Sequence, residues 1–144
     1  MPSLTRLAAA VATAAVVCVV VSSCSALSPG GIGGIGSDEK SWEFDRYGDA
    51  PKAGTRSFVL DAWVPSDAVD IRAVARREAP EEAVLTFHTA ASPADASGCA
   101  ALDPVTAAPP LSPDWLPGSP PTAGWSCGDW TVVADDGTVW AWRG

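Results

Sequence analysis

The sequence predicts a small α+β domain: an antiparallel sheet of two hairpins, one short helix and a long proline-rich loop. Asp136-Gly137 lies between two apolar runs and is a strong hairpin-turn signal. Two further β-prone runs, residues 70–77 and 82–89, flank a turn-forming segment. Ser92-Pro93 is typical of a helix start. Because strands and helix follow one another without regular alternation, an antiparallel α+β arrangement is expected.

The first predicted strand covers residues 58–64 and stops at Pro65. The preceding residues, 38–57, include Trp42, Phe44 and Tyr47, which can pack in a core. Gly48, Pro51 and Gly54 interrupt this stretch, so we assign no regular element to it.

Residues 66–79 allow two interpretations. Asp67 and Asp70 resemble a helix start, and residues 68–79 are rich in helix formers. Against this, apolar and charged residues alternate between 70 and 76, and residues 84–87 are β-prone. We favour a hairpin of residues 70–77 and 82–89.

The predicted helix begins at Ser92, with Pro93 at its first position and Asp95 at its third. It continues over residues 96–102, carries Cys99, and ends at Asp103-Pro104. Seven prolines follow within residues 103–124, which indicates a loop without regular structure.

The C-terminal hairpin joins residues 130–134 to residues 138–142. A two-residue turn at Asp136-Gly137 pairs Val133 with Trp140 and Thr131 with Trp142 on one surface. Val132 with Ala141, and Ala134 with Val139, lie on the other. Both surfaces are largely apolar, so one is expected to pack on the helix. Trp140 and Trp142 share a surface, and we expect both to be buried.

The N-terminal residues have the pattern expected of an export signal. Arg6 precedes an apolar run of 15 residues, 7–21, which is shorter than the roughly 20 residues of a membrane-spanning helix. Ser22-Ser23-Cys24 follows, and small residues before a cysteine resemble the lipobox of a bacterial lipoprotein with a type II signal peptide. The resemblance implies cleavage before Cys24 and its acylation by chains such as palmitate. Ordinary secretion with cleavage after Ala26, and an uncleaved anchor, are the alternatives.

This interpretation divides the chain into a signal peptide (1–23), a lipidated Cys24 with a glycine-rich tether (24–37), and one domain (38–144). The expected location is the extracytoplasmic face of the cell membrane. Without residues 1–23 the chain keeps 8 basic and 17 acidic side chains. Such a charge repels nucleic acid and anionic lipid, so we expect neither nucleic acid nor polybasic membrane docking. The lipid on Cys24 is the expected contact with the membrane.

Cys99 and Cys127 remain as a pair after the signal and the lipidated cysteine are set aside. In an oxidising compartment an even pair predicts a disulfide. Closing a loop whose ends are 28 positions apart stabilises a domain by about 3–4 kcal/mol.

The absence of Asn and Gln and the presence of only two Lys suggest a GC-rich, actinobacterial genome. The segments 63–71, 127–130 and 141–142 are similar to small, uncharacterised secreted domains of actinobacteria. That resemblance supports the hairpin at residues 70–89 and implies no activity.

Few side chains have the chemistry needed for catalysis or metal binding. His88 is the only histidine, and no GxSxG elbow accompanies it, so we interpret it as structural. The acidic pairs Asp135-Asp136 and Glu81-Glu82 fall at predicted turns and lack metal-binding spacing. We therefore expect no catalytic residue, cofactor or metal.

Tryptophan is the one marked excess, with seven in the domain. Most are expected to form the core. Trp115 and Trp125, next to prolines and glycines, are the candidates for a binding platform. Three hypotheses follow. We favour a binding or accessory domain for envelope proteins or peptides; the alternative is a carbohydrate-binding module for cell-wall glycan, and a hydrolase is least favoured. Paired exposed indoles would favour the second, and a pocket at His88 with a nearby Ser or carboxylate the third.

Overall fold

A computed structural model describes residues 38–54 and 57–144. These residues form one seven-stranded antiparallel sheet. The α+β expectation is therefore wrong. The helical residues in the described part of the chain are two short 3-10 turns, Tyr47–Asp49 and Pro93–Asp95. The strands are β1 (Glu39–Arg46), β2 (Val69–Arg76), β3 (Ala83–His88), β4 (Cys99–Leu102), β5 (Gly124–Cys127), β6 (Trp130–Asp135) and β7 (Thr138–Arg143).

The sheet order is β1-β2-β3-β7-β6-β5-β4. Both predicted hairpins are present, as β2–β3 and β6–β7, and the helical interpretation of residues 66–79 is excluded. The two hairpins join through antiparallel pairing of β3 with β7, which sets Val84 opposite Trp142 and Thr86 opposite Trp140. A long-range strand pairing thus connects the two locally formed units.

The C-terminal hairpin has the predicted register. Thr131 faces Trp142 and Val133 faces Trp140, with Val132 opposite Ala141 on the other surface. Asp136 and Gly137 both have positive φ, at 44° and 77°, as a type I′ turn requires. These angles confirm the turn prediction. The turn could be predicted because its geometry depends only on two adjacent residues.

The predicted helix, which begins at Ser92, is confirmed only for one short turn. Over residues 96–102 the helix prediction is wrong. Ser92 caps the short 3-10 turn as expected, since its hydroxyl accepts a hydrogen bond from Ala94 N at 3.2 Å. Gly98 then has φ +85°, which is incompatible with a helix, and β4 follows. Cys99 lies directly opposite Cys127 on β5 and forms the predicted disulfide, with 4.1 Å between the Cα atoms. Cross-strand pairing therefore overrides the helix propensity of the alanines.

The first strand is β1, not residues 58–64. Trp42 and Phe44 alternate with the exposed residues Glu43 and Asp45, and β1 pairs with β2. The residues predicted as a strand instead cross one face of the sheet. We call this the front face; it carries Ile71, Ala73, Leu85, Phe87, Val132 and Ala141. Phe58, Trp63 and Val64 are buried against it.

The opposite surface, the back face, is apolar too and needs its own cover. It carries Val74, Val84, Val133 and Trp142, all buried. The proline-rich loop, residues 103–123, lies over it and contributes the buried Leu111. Trp142 Nε1 donates a hydrogen bond to Ala107 O at 3.1 Å and so fixes the loop to the sheet. The layer expected from a helix is thus supplied by a loop.

Within the described residues, no helix is long and apolar enough to cross a membrane. Residues 1–37, which include Cys24 and its expected signal and tether, lie outside the described residues.

Gly124, where the loop enters β5, has no room for a side chain. A Cβ added there would lie 2.2 Å from the backbone oxygen of Val132 and 2.9 Å from a methyl group of Val133. We expect Gly124→Ala to lower the free energy of unfolding by about 1–3 kcal/mol through overpacking. Urea denaturation measures the loss. Gly118→Ala is the matched control, since nothing lies within 4 Å of its added Cβ. Equal stability of the two variants would contradict the steric account.

The carboxylate of Asp67 fixes the backbone that follows β3 by accepting two hydrogen bonds. Its carboxylate accepts hydrogen bonds from Thr89 Oγ1 at 2.8 Å and from Ala90 N at 3.1 Å. The hydrogen bond from Thr89, with that from Ala90, lowers the pKa of Asp67 below its usual 3.8. A carboxyl with a lowered folded-state pKa stabilises the fold above its unfolded-state pKa, and this contribution disappears as the pH falls through the folded-state pKa.

We therefore expect the stability difference between wild type and Asp67→Asn to be constant near neutrality and to shrink as the pH falls below about 4. Urea midpoints measured across this range test it. Asp114→Asn, at an exposed loop aspartate, controls for the general loss of one charge. A difference that is independent of pH would contradict the role given to the Asp67 carboxylate.

Candidate functional site

The proline-rich loop covers only part of the back face, and a cleft of about 460 Å³ lies where its cover ends. We call it the indole cleft. Its lining residues come from β2, β3, β7 and the loop: Asp70, Arg72, Thr86, His88, Trp115, Thr138 and Trp140. Its volume lies within the range of about 300–1,000 Å³ typical of small-molecule sites.

The two indoles of the cleft are anchored by the core. Trp140 projects from β7, and Trp115 from the loop, and both are half-buried. Both pack against the buried cluster that includes Val133 and Trp142. Each ring therefore has one part fixed in apolar packing and another part available to the cleft. Such rings are rigid contact surfaces whose ordering costs little on binding.

The polar side of the cleft is built by β2 and β3. His88 is exposed, and its Nδ1 lies 3.1 Å from Thr138 Oγ1 on the paired strand. Thr86 Oγ1 donates a hydrogen bond to Val139 O at 2.9 Å, so this hydroxyl hydrogen already has an acceptor in the protein. Arg72 and Asp70 are exposed and carry opposite charges. The cleft thus offers both donors and acceptors beside aromatic surface.

Asp70 has an uncommon backbone conformation at the edge of the cleft. Val69 and Arg72 align with His88 and Thr86, so Asp70 and Ile71 together oppose Phe87 alone. This is a β-bulge, and Asp70 has φ +51°, a left-handed conformation in which glycine is the usual residue. Aspartate adopts it more readily than most residues. The bulge places Asp70 in the lining of the cleft.

The two tryptophans predicted as a platform lie apart. Trp115 lines the indole cleft on the back face. Trp125, on β5, is half-buried and packs against the front-face core. The partner that the structure gives to Trp115 is Trp140. Our prediction of burial for the hairpin tryptophans holds fully for Trp142, whereas Trp140 keeps part of its surface accessible.

Four residues of the cleft are not among the predicted site residues: Asp70, Arg72, Thr138 and Trp140. Each lies on a strand, and only the pairing of β3 with β7 brings the residues of β2 and β7 to one cleft. The alternation of Arg72 with the buried Ile71 and Ala73 does predict an exposed side, yet it does not predict which ring lies beside it.

A second cavity, of about 180 Å³, lies on the front face below Trp63 and is lined mainly by apolar residues, among them Phe87, Pro93 and Val139. Trp63 Nε1 is buried without a hydrogen-bond partner among the described residues. The small volume and the shortage of polar groups leave this cavity with less capacity for specific recognition than the indole cleft.

In the described part of the chain, no group of three or more His, Cys, Asp or Glu is placed to hold a metal ion. His88, Thr138 and Asp70 share the indole cleft, which is the kind of surrounding that would favour a hydrolase. Hydrolysis also needs a group that orients the histidine and donors for an oxyanion. The contact between His88 Nδ1 and Thr138 Oγ1 can orient the imidazole, but it supplies no oxyanion donors.

Comparison with known proteins gives no relative: no protein-family model, no curated protein and no solved structure matches this chain. Its function is therefore inferred from its own residues.

Proposed function

We propose that this chain is a lipid-anchored, extracytoplasmic lipoprotein whose domain binds carbohydrate of the cell envelope in the indole cleft. The anchor rests on the sequence before the domain. The apolar run of residues 7–21 ends in Ser22-Ser23-Cys24, and a glycine-rich segment follows. Two acyl chains hold a protein at a bilayer stably, since each buried methylene contributes about 0.8 kcal/mol.

The observation that carries the ligand class is the convergence of Trp115 and Trp140 with charged and hydroxyl side chains in one open cleft. A sugar ring presents apolar C–H faces and a rim of hydroxyl groups. Indole rings can cover the faces, while Arg72 donates to hydroxyl oxygens and Asp70 accepts from hydroxyl hydrogens. His88 can do either through its Nε2.

An extended peptide of an envelope protein is the second candidate ligand class. Proline-rich peptides also dock on tryptophan-lined grooves. The indole cleft, however, brings Asp70, Arg72 and His88 next to its two rings, and this density of hydrogen-bonding groups suits a hydroxyl-rich ligand better. We therefore favour glycan over peptide, and binding over catalysis.

The anchor makes a direct prediction. We expect Cys24→Ala to accumulate as a larger, unprocessed chain that carries no acyl label, because acyl transfer needs the cysteine sulfur. Metabolic labelling with a palmitate analogue and intact-mass measurement test this. Cys18→Ala, within the apolar run, is the matched control and should be processed normally. A wild-type mature chain that begins at Leu27 would refute the anchor.

The cleft makes the second prediction. Removing one indole that covers a sugar face should weaken binding about tenfold, because about 50 Å² of apolar contact is lost. We expect this for Trp115→Ala when soluble fragments of cell-wall glycan are titrated in a calorimeter. Trp125→Ala removes a half-buried indole on the opposite face and should leave the affinity unchanged.

Thermal melting of both variants shows whether each remains folded. His88→Ala, at an exposed side chain, provides a second probe of the cleft with little effect on packing. Equal affinities of wild type, Trp115→Ala and His88→Ala would contradict a ligand site in the cleft. Cleft-dependent binding of a proline-rich peptide, without glycan binding, would assign the site to peptides instead.

A further inference from the structure

Four of the nine basic side chains of this acidic chain line another cleft, on the front face. The sequence has 9 basic and 17 acidic side chains, yet Lys40, Arg76, Arg77 and Arg143 all line one cleft of about 590 Å³. We call it the basic cleft. Asp61 is the one acidic residue in its lining, and Trp42 and Phe58 supply aromatic surface. This acidic chain therefore brings four of its nine basic side chains together at one place, with acidic side chains beside two of them.

The acidic residue of the cleft is already engaged. The carboxylate of Asp61 accepts a hydrogen bond from Trp130 Nε1 at 2.6 Å, and Oδ2 lies 3.9 Å from Arg143 Nη1. The Arg143 guanidinium stacks over the Trp130 ring at 4.7 Å. Its Nε is buried without a hydrogen-bond partner among the described residues. Arg143 is therefore a cation with fewer acceptors around it than donors to satisfy.

The other cations differ in how they are compensated. Arg76 is paired with Glu82 and lies 3.8 Å from Asp38. Arg77 Nε donates to the backbone oxygen of Glu39 at 3.2 Å, and its guanidinium forms no ion pair with a described residue. Lys40 Nζ lies 4.8 Å from the centre of the Trp42 ring. Arg77 is thus the side chain with most capacity left to bind an anion.

We propose that the basic cleft binds a phosphate ester. A phosphate group presents several acceptor oxygens and up to two negative charges, which suits several convergent cations better than a single carboxylate does. Planar guanidinium groups bind phosphate through paired hydrogen bonds. Trp42 and Phe58 can contact the group that bears the phosphate. This site lies on the front face and is separate from the indole cleft of the back face.

The position of the cleft suggests two sources for the phosphate. Arg77 N donates to Asp38 O at 2.7 Å, so the start of the domain lies beside the cleft. If Cys24 is acylated as we propose, 14 residues, 24–37, connect the lipid to the domain, so lipid head groups are one source of phosphate. The phosphate is then that of a lipid head group or of a soluble phosphate ester. The site itself does not depend on the anchor.

Tryptophan side chains allow both clefts to be observed in one experiment. We suggest ¹⁵N-edited NMR of the chain from residue 24 to residue 144 with Cys24→Ser, which cannot be acylated. Titration with inorganic phosphate should shift the indole signal of Trp42 and the Nε signal of Arg77 with saturation. The indole signals of Trp115 and Trp140 should stay in place. Added sodium chloride should weaken the effect by screening.

Vesicles distinguish the two sources. Co-sedimentation with vesicles of phosphatidylcholine mixed with phosphatidylglycerol, compared with phosphatidylcholine alone, reports binding to an anionic head group. Saturable phosphate shifts together with selective sedimentation assign the site to lipid head groups. Saturable shifts without sedimentation assign it to a soluble phosphate ester.

Variants link the effect to the cleft. Arg77→Gln should weaken phosphate binding about fivefold, the effect of removing one partly exposed ion pair. Arg46→Gln, at another exposed arginine of the same sheet edge, is the matched control and should bind as wild type does. If melting shows Arg77→Gln to be unfolded, Lys40→Gln takes its place.

The proposal is overturned if phosphate shifts no signal of the cleft, or if Arg77→Gln and Arg46→Gln bind phosphate equally. Because the glycan experiment reports on Trp115 and His88, and this one on Trp42 and Arg77, failure of either proposal is recognised separately.

Discussion

The fold depends on one constraint: both faces of the central strands β3, β7 and β6 are apolar, so both must be covered. Val132, Val139 and Ala141 are buried on the front face, and Val133 and Trp142 on the back face. Residues 57–68 cover the first, and the proline-rich loop covers the second. Fully burying one large apolar side chain contributes about 1.5–3 kcal/mol, so neither face can stay in water in a domain of this size. The disulfide, which joins the strands at both ends of the loop, restricts how far that cover can move away.

The cover of the back face is incomplete, and this incompleteness creates the indole cleft. The proline-rich chain has no regular structure and follows the surface closely where Leu111 and Trp115 anchor it. It leaves a cleft beside Arg72 and His88. Polar residues occupy the uncovered part of the same face, so the boundary places indoles beside Arg72 and His88. A site of this kind requires no special motif. It arises where an apolar cover meets a polar strand.

The net charge of the whole chain does not describe the charges that meet at the basic cleft. An excess of acidic side chains argues against nucleic acid and anionic surfaces as partners of the whole chain. Pairing of β1 with β2, and of β3 with β7, nevertheless brings Lys40, Arg77 and Arg143 to one cleft. At physiological ionic strength charges act over about 8 Å, so the local arrangement decides what an approaching anion meets.

The sequence by itself determined what depends on neighbouring residues. Asp136-Gly137 specifies the turn, and the turn specifies the register of Val133 with Trp140; the alternation after Asp70 indicates the second hairpin, and two cysteines indicate the disulfide. The tertiary structure alone decided the rest. Alanines after Ser92 favour a helix locally, but pairing of Cys99 with Cys127 makes them a strand. Residues 39–46 form the strand β1 because they pair with β2. The indole cleft combines residues that are up to 70 positions apart. Such choices rest on long-range contacts, whose energy exceeds the few tenths of a kcal/mol per residue by which local propensities differ.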